Sequence, residues 1–176
     1  MKTIEDNLLS VLKTHFGYSE FRDTQKDIML SVLSGRDTLA VMPTGGGKSL
    51  CYQVPALILD GLTLVISPLI ALMQDQVSQL EKTGIPSLFL NSSLDWETYK
   101  YNMDLVRSGK VKLLYCAPET LATERVQSLL STVKVSLIAI DEAHCISEWG
   151  HDFRPEYRQI KTFRTVFPDA VLLALT

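Results

Sequence analysis

The chain is predicted to fold as an α/β domain on a mostly parallel, doubly wound sheet with helices on both faces. Three observations predict it. Short apolar runs recur at 38–42, 62–67, 87–90, 112–116, 136–140 and 170–175, with helical patterns between most of them. Strands alternating with helices imply βαβ units and a parallel sheet. Two of the runs, Leu62-Thr63-Leu64-Val65-Ile66 and Ser136-Leu137-Ile138-Ala139-Ile140, are nearly continuous in apolar residues, as strands covered on both faces require. Finally, Thr44-Gly45-Gly46-Gly47-Lys48-Ser49 separates the run 38–42 from a helical pattern opening at Leu50. A strand, a glycine-rich turn and a helix is the arrangement that holds phosphates.

The elements follow in order. Ile4, Leu8, Leu9 and Leu12 share one face of a first helix, and Ile28, Met29, Val32 and Leu33 mark a second, ended by Gly35. Residues 1–35 thus form an N-terminal helical part of a single domain spanning 1–176. Beyond it the chain alternates strand and helix to the last run. In open sheets of this kind, ligands sit at the carboxyl ends of the strands. The glycine loop lies at such an end.

Composition sets bounds. A chain of 176 residues with 46% hydrophobic content suits one globular domain with a sizeable core. A net charge of −3 neither points to nor excludes nucleic acid. Cys51, Cys116 and Cys145 are far apart and form no Cys-x-x-Cys pair, so no zinc or redox motif is visible. An odd cysteine count and an acidic N-terminal segment without an apolar core suggest a reducing, cytoplasmic setting. No run approaches the ~18 apolar residues of a membrane span, so no membrane partner is expected.

The loop has specific chemistry. Gly45, Gly46 and Gly47 open backbone angles closed to other residues, so several N–H groups can converge on one anion. Lys48 can reach the β- and γ-phosphates, and the Ser49 hydroxyl can ligate Mg²⁺. Thr44 and Leu50 frame this set. Against the usual spacing G-x-x-x-x-G-K-[ST], Met42 stands where the first glycine would be. Asp141-Glu142-Ala143-His144 directly follows the run ending at Ile140. Its carboxylates therefore project from the carboxyl end of a buried strand. Asp141 suits a metal, directly or through water, and Glu142 suits an attacking water as general base.

These two motifs in one α/β domain are similar to the first RecA-like domain of a superfamily 2 helicase. Further stretches resemble the RecQ family of DNA helicases. Phe16-Gly17-Tyr18-Ser19-Glu20-Phe21-Arg22-Asp23-Thr24-Gln25 looks like its motif 0, and Val65 to Val77, with Ser67-Pro68-Leu69-Ile70, resembles motif Ia. Tyr115-Cys116-Ala117-Pro118-Glu119 resembles the motif before the Asp-Glu strand. Cys145 to Pro155 is similar to the family's aromatic-rich loop, and Ala174-Leu175-Thr176 to the opening of motif III.

The resemblance implies a RecA-like fold and ATP as nucleotide, with Tyr18 stacking on adenine, Gln25 reading its edge and Arg22 contacting the nucleotide. Phe16 and Phe21 read better as core. It also implies that Ser67, Pro68 and Ile70 line a single-strand path, whereas Ile66, Leu69, Leu72 and Met73 read as core. Asn91-Ser92-Ser93 suits either a DNA backbone or a helix cap near Asp95. Trp149, His151, Phe153 and Arg154 lie within a few residues of each other just past the carboxylates, a combination of rings and charge suited to single-stranded nucleic acid. Core aromatics are the plainer alternative for Trp149 and Phe153. The basic stripe Arg154, Arg158 and Lys161 suits phosphates or a solvated face.

The implied activity is that of the ATP-binding lobe of a 3′-to-5′ DNA helicase of repair and recombination, acting on single-stranded and partly duplex DNA with ATP and Mg²⁺. A second RecA-like domain, carrying an arginine finger, is expected beyond Thr176, as are accessory modules. The 176 residues alone are expected to hydrolyse ATP very slowly and not to unwind DNA. Two alternatives stand beside this: an RNA-remodelling DEAH-box enzyme, and a nucleotide-dependent binding module without turnover.

Overall fold

The computed structural model describes residues 1–22, 24–146 and 160–176. Helix α1 (Ile4–Val11) runs into a π-helical turn at Leu12–Phe16, and α2 (Gln25–Leu33) follows. Then come β1 (Thr38–Ala40), α3 (Leu50–Ile58), β2 (Leu62–Ile66), α4 (Ile70–Lys82) and β3 (Ser87–Leu90). The second half comprises α5 (Trp96–Arg107), β4 (Leu113–Cys116), α6 (Pro118–Leu121), α7 (Glu124–Leu130), β5 (Val135–Ile140), α8 (Ile160–Val166) and β6 (Val171–Leu175). A 3-10 turn at Ala143–Ile146 follows β5.

All six predicted runs carry strands, and the sheet order is β1-β6-β5-β2-β4-β3 with every described pair parallel. The chain runs out from β1 to β2 and β3 with α3 and α4 on one face. It returns through β4, β5 and β6 with α5, α7 and α8 on the other. A constant crossover hand requires that switch of face when the direction along the sheet reverses. Each face has its own core. Val65, Tyr115 and Ala139 meet Cys51, Met73 and Val77, while Leu64, Ile66 and Ile138 meet Val106, Val126 and Phe163. Burying each of the larger aliphatic side chains contributes roughly 2 kcal/mol.

The N-terminal part packs on helices rather than on the sheet. Leu8 and Leu12 are fully buried against Met29 of α2 and Val54 of α3, while Ile4 is exposed. The predicted stripe therefore fails at its first residue, because the seam between helices is narrower than a sheet-covering face. Thr3 opens α1 with a reciprocal cap: its hydroxyl accepts from the Asp6 N–H, and the Asp6 carboxylate accepts from the Thr3 N–H.

In α4 the inward face is Met73, Val77 and Leu80. Leu69 and Leu72, expected in the core, are instead exposed. Leu72 sits about 100° around the helix from Met73, and Leu69 precedes the first turn. Ile66 and Met73 are buried as expected.

A candidate nucleotide site at the carboxyl ends of β1, β5 and β6

The glycine loop begins where β1 ends, at the sheet edge. Met42 is buried against the Cys51 thiol, and its N–H donates to the Thr176 carbonyl at 2.9 Å. Only Gly45 (φ 77°) and Gly47 (φ 73°) of this loop adopt left-handed backbone. A side chain at position 42 faces the core, so no glycine is needed there. The departure from the usual spacing thus has a packing reason.

The outer side of the loop is gripped by the segment before α2. Arg22 Nη1 donates to the Gly45 carbonyl at 3.2 Å, and Gln25 Nε2 donates to the Gly47 carbonyl at 2.9 Å. Gln25 Oε1 accepts from the Arg22 N–H at 2.8 Å. The carbonyls of the loop are thereby turned outward. Among the described residues no partner is found for the N–H groups of Gly47 and Lys48. Gln25 is 1% exposed, and both ends of its amide are held by backbone. Here it braces the loop; the base-facing orientation expected from sequence is not the one adopted.

Beside the loop lies a cavity of about 280 Å³. Its walls include Tyr18, Arg22, Gln25, Ser49, Leu50, Gln53 and Gln76. Tyr18 is 48% exposed, leaving a ring face open to a planar ligand. Phe16 and Phe21 are partly buried against the Leu8–Leu12 core, as the plainer reading held.

The carboxylates arrive from β5. The Asp141 N–H donates to the Ile66 carbonyl at 2.9 Å, extending the pairing with β2 by one residue. Asp141 is only 8% exposed, and its Oδ1 accepts from the Glu142 N–H at 3.0 Å. Burial raises the Asp141 pKa, and the Glu142 charge adds to this. The Glu142 N–H, Lys48 and His144 pull the other way. Lys48 and Asp141, far apart in sequence, are thus within electrostatic reach. Glu142 holds φ 54°, the sole non-glycine positive φ among the described residues, at a cost on the order of 1 kcal/mol.

His144 and Thr176 complete the arrangement. His144 Nδ1 lies 3.4 Å from Glu142 Oε2 and 3.0 Å from Thr176 Oγ1. Thr176 also donates its N–H to the Ala40 carbonyl at 3.1 Å. It therefore touches both the strand that launches the glycine loop and the Asp-Glu-Ala-His turn. Neither residue was among the sequence-predicted site residues. The two-residue spacing of Glu142 and His144 was the available signal for one, and no local pattern marks Thr176.

The single-strand path expected from sequence begins after β2. Ser67 is buried, and its hydroxyl accepts from the Leu69 N–H at 3.3 Å. Pro68 and Ile70 are partly exposed at the start of α4. Asn91 is fully buried with its Oδ1 bonded to Ser93, and Asp95 itself caps α5 through the Thr98 N–H at 2.8 Å. Trp149, His151, Phe153 and Arg154 lie outside the described residues. Among the described residues no group of three or more His, Cys, Asp or Glu side chains is placed to hold a metal. No described helix is long and apolar enough to cross a membrane.

Comparison with known proteins shows the family of the chain. Residues 22–176 match the family model for DEAD/DEAH box helicases. The ATP-dependent DNA helicase RecQ of Haemophilus influenzae is 56% identical over 168 residues, which cover 96% of this chain and 27% of that protein. RecQ of Bacillus subtilis is 47% identical over 169 residues, 95% of this chain and 29% of its own length. ATP-dependent DNA helicase Q1 of Pongo abelii is 42% identical over 173 residues, with 94% and 27% coverage. The chain thus spans under a third of the length of these relatives. Among solved structures, the DUF1998 helicase MrfA superposes with a TM-score of 0.76 at 22% identity, covering 100% of this chain and 29% of MrfA. By the family match over most of its length, the chain belongs to the DEAD/DEAH box helicases.

Proposed function

We propose that this chain is the ATP-binding lobe of an ATP-dependent DNA helicase of RecQ type. The observation that carries the reading is the meeting of Lys48, Asp141, Glu142 and Thr176 at one end of the sheet. The 42–56% identity to RecQ-type helicases supports it over the RNA-remodelling alternative. Coupling to 3′-to-5′ translocation on single-stranded DNA, duplex unwinding and a role in repair and recombination come with that resemblance.

The residues fit ATP and Mg²⁺. Asp141 is a buried carboxylate whose charge is disfavoured by its surroundings and offset by Lys48, so a divalent cation with phosphates would relieve it. Ser49 and Asp141 would hold Mg²⁺, which supplies neutralisation of the phosphate charge. A sparse protein ligand set is ordinary for Mg²⁺, which keeps waters and phosphate oxygens.

The chain's own residues then have defined tasks. The N–H groups of the loop and the Lys48 ammonium hold the triphosphate. Arg22 and Gln25 keep the loop carbonyls turned away from it. Tyr18 stacks on the base in the adjoining cavity. Glu142 accepts a proton from the attacking water at its carboxylate, and His144 orients that carboxylate. Pro68 and Ile70, together with Trp149, His151, Phe153 and Arg154, bind single-stranded DNA. A second RecA-like domain supplies the arginine finger, a contribution of about 10³–10⁵ in rate. The 176 residues alone would accordingly turn over very slowly.

ATP turnover by the full-length protein, with and without single-stranded DNA, tests this. Wild type should be stimulated by DNA, and Glu142→Gln should retain nucleotide binding and lose about 10²–10⁴ in rate. Turnover unaffected by Glu142→Gln overturns the reading. Equal stimulation by single-stranded RNA overturns the assignment to DNA.

A further inference from the structure

Tyr52 and Tyr115 are each 1% exposed, yet each carries a hydroxyl that needs a partner in the core. The Tyr52 hydroxyl donates to Gln76 Oε1 at 2.9 Å. Gln53 Nε2 donates to the Tyr115 hydroxyl at 3.1 Å. The two rings meet edge to face, with centroids 6.3 Å apart and planes at 68°. Two hydrogen-bonded pairs, Tyr52–Gln76 and Gln53–Tyr115, joined by this ring contact, thus form one path through the core.

The path links elements with separate tasks. Tyr52 and Gln53 belong to α3, the helix opened by the glycine loop, Gln76 to α4, and Tyr115 to β4. Gln53 and Gln76 also line the nucleotide cavity. At the other end, burial raises both phenol pKa values, Tyr115 to about 12, and the Asp141 charge adds to each shift. The catalytic carboxylate is therefore within electrostatic reach of both hydroxyls. Ile70, at the DNA-side start of α4, is about 9 Å along the helix axis from Gln76.

A path like this is weakly justified by stability. Apolar side chains of similar shape in place of all partners would be close to neutral. What satisfied buried hydrogen bonds supply is fixed relative position. Gln76 can receive the Tyr52 proton only with α4 in one rotation and height on α3.

We propose that Tyr52 and Tyr115 are positioning residues that lock α4 to the glycine-loop helix, so that DNA bound at the start of α4 displaces the loop relative to Asp141. This rests on the helicase reading above. Neither residue lines the nucleotide cavity; each acts through Gln76, Gln53 and the elements that carry them.

The test uses full-length protein carrying Tyr52→Phe or Tyr115→Phe, which remove one oxygen each. ATP turnover is measured across a single-stranded DNA titration, with thermal unfolding alongside. The DNA-free rate and the ATP KM should stay within about twofold of wild type. Maximal DNA stimulation should fall by about threefold or more, the scale of a lost coupling interaction. The double variant should lose no more than the worse single one, because both break the same path. Undiminished stimulation in both single variants overturns the relay alone. Equal loss of basal and stimulated rates, tracking a lowered unfolding temperature, also overturns it in favour of a structural role. Absence of DNA stimulation in wild type overturns the helicase reading and the relay with it.

Discussion

Gln25→Ala separates two roles for one side chain. Gln25 holds the Gly47 carbonyl and the Arg22 N–H at 2.9 and 2.8 Å. Truncation leaves both groups without these bonds, at about 1 kcal/mol each. It also removes the brace that keeps the loop carbonyls outward, so ordering the loop falls to the ligand. Together these weaken nucleotide binding by about 2 kcal/mol, on the order of 30-fold. The effect arises at the loop, so it should be equal for ATP, GTP and inorganic tripolyphosphate. A residue that read the adenine edge would behave differently: its loss would weaken ATP and leave tripolyphosphate alone. Competition against a fluorescent nucleotide on the full-length protein gives all three affinities. If tripolyphosphate binds wild type and Gln25→Ala within twofold of each other while ATP weakens, the bracing argument is refuted.

Three further outcomes are expected. Asp37 binds the Leu172 N–H and the Arg164 guanidinium, and these lower its pKa despite the opposing effect of burial. A depressed native pKa means the contribution is present above the unfolded value of 3.8 and lost as pH falls through the native one. Asp37→Asn should therefore lower the unfolding temperature at pH 7, by a difference that shrinks as pH falls below 3.8; a difference constant down to the acid limit of folding would contradict it. Gly61 holds φ 109°, and a Cβ there would meet the Lys134 carbonyl oxygen at 2.8 Å. Gly61→Ala should destabilise the fold by about 1–3 kcal/mol in urea unfolding with the m-value unchanged. His144→Ala, which removes the group orienting Glu142, should lower kcat about tenfold with little change in ATP KM; a rise in KM at constant kcat would place His144 in binding instead.

The sheet and its strand sequence were legible because burial on two faces forces continuous apolar runs, as in Leu62–Ile66 and Leu137–Ile140. The phosphate loop was legible because its glycines are demanded by backbone angle at Gly45 and Gly47. The place of β6 between β1 and β5 is a matter of long-range pairing that no apolar run states by itself. Three other things were out of reach. The orientation of Gln25 depends on where Gly47 lies across the N-terminal arm, a long-range fact with no local pattern. Leu69 and Leu72 looked like core because apolar residues crowd the start of α4, and helical phase alone turns Leu72 outward. Tyr52 and Tyr115 carry no local signal of their bonding, since hydroxyl partnership among α3, α4 and β4 is written only in three dimensions.

The placement of β1 has a mechanical consequence. Asp141 rises from β5, which is clamped by β2 on one side and β6 on the other. The glycine loop extends from a strand of three residues with, among the described residues, a single neighbour. One jaw of the catalytic vice is therefore bolted to the frame and the other is a cantilever, hinged along the Thr38–Leu173 to Ala40–Leu175 seam. Compliance between phosphate and carboxylate is concentrated in that seam, and Thr176, hydrogen-bonded to both sides, sets its stiffness.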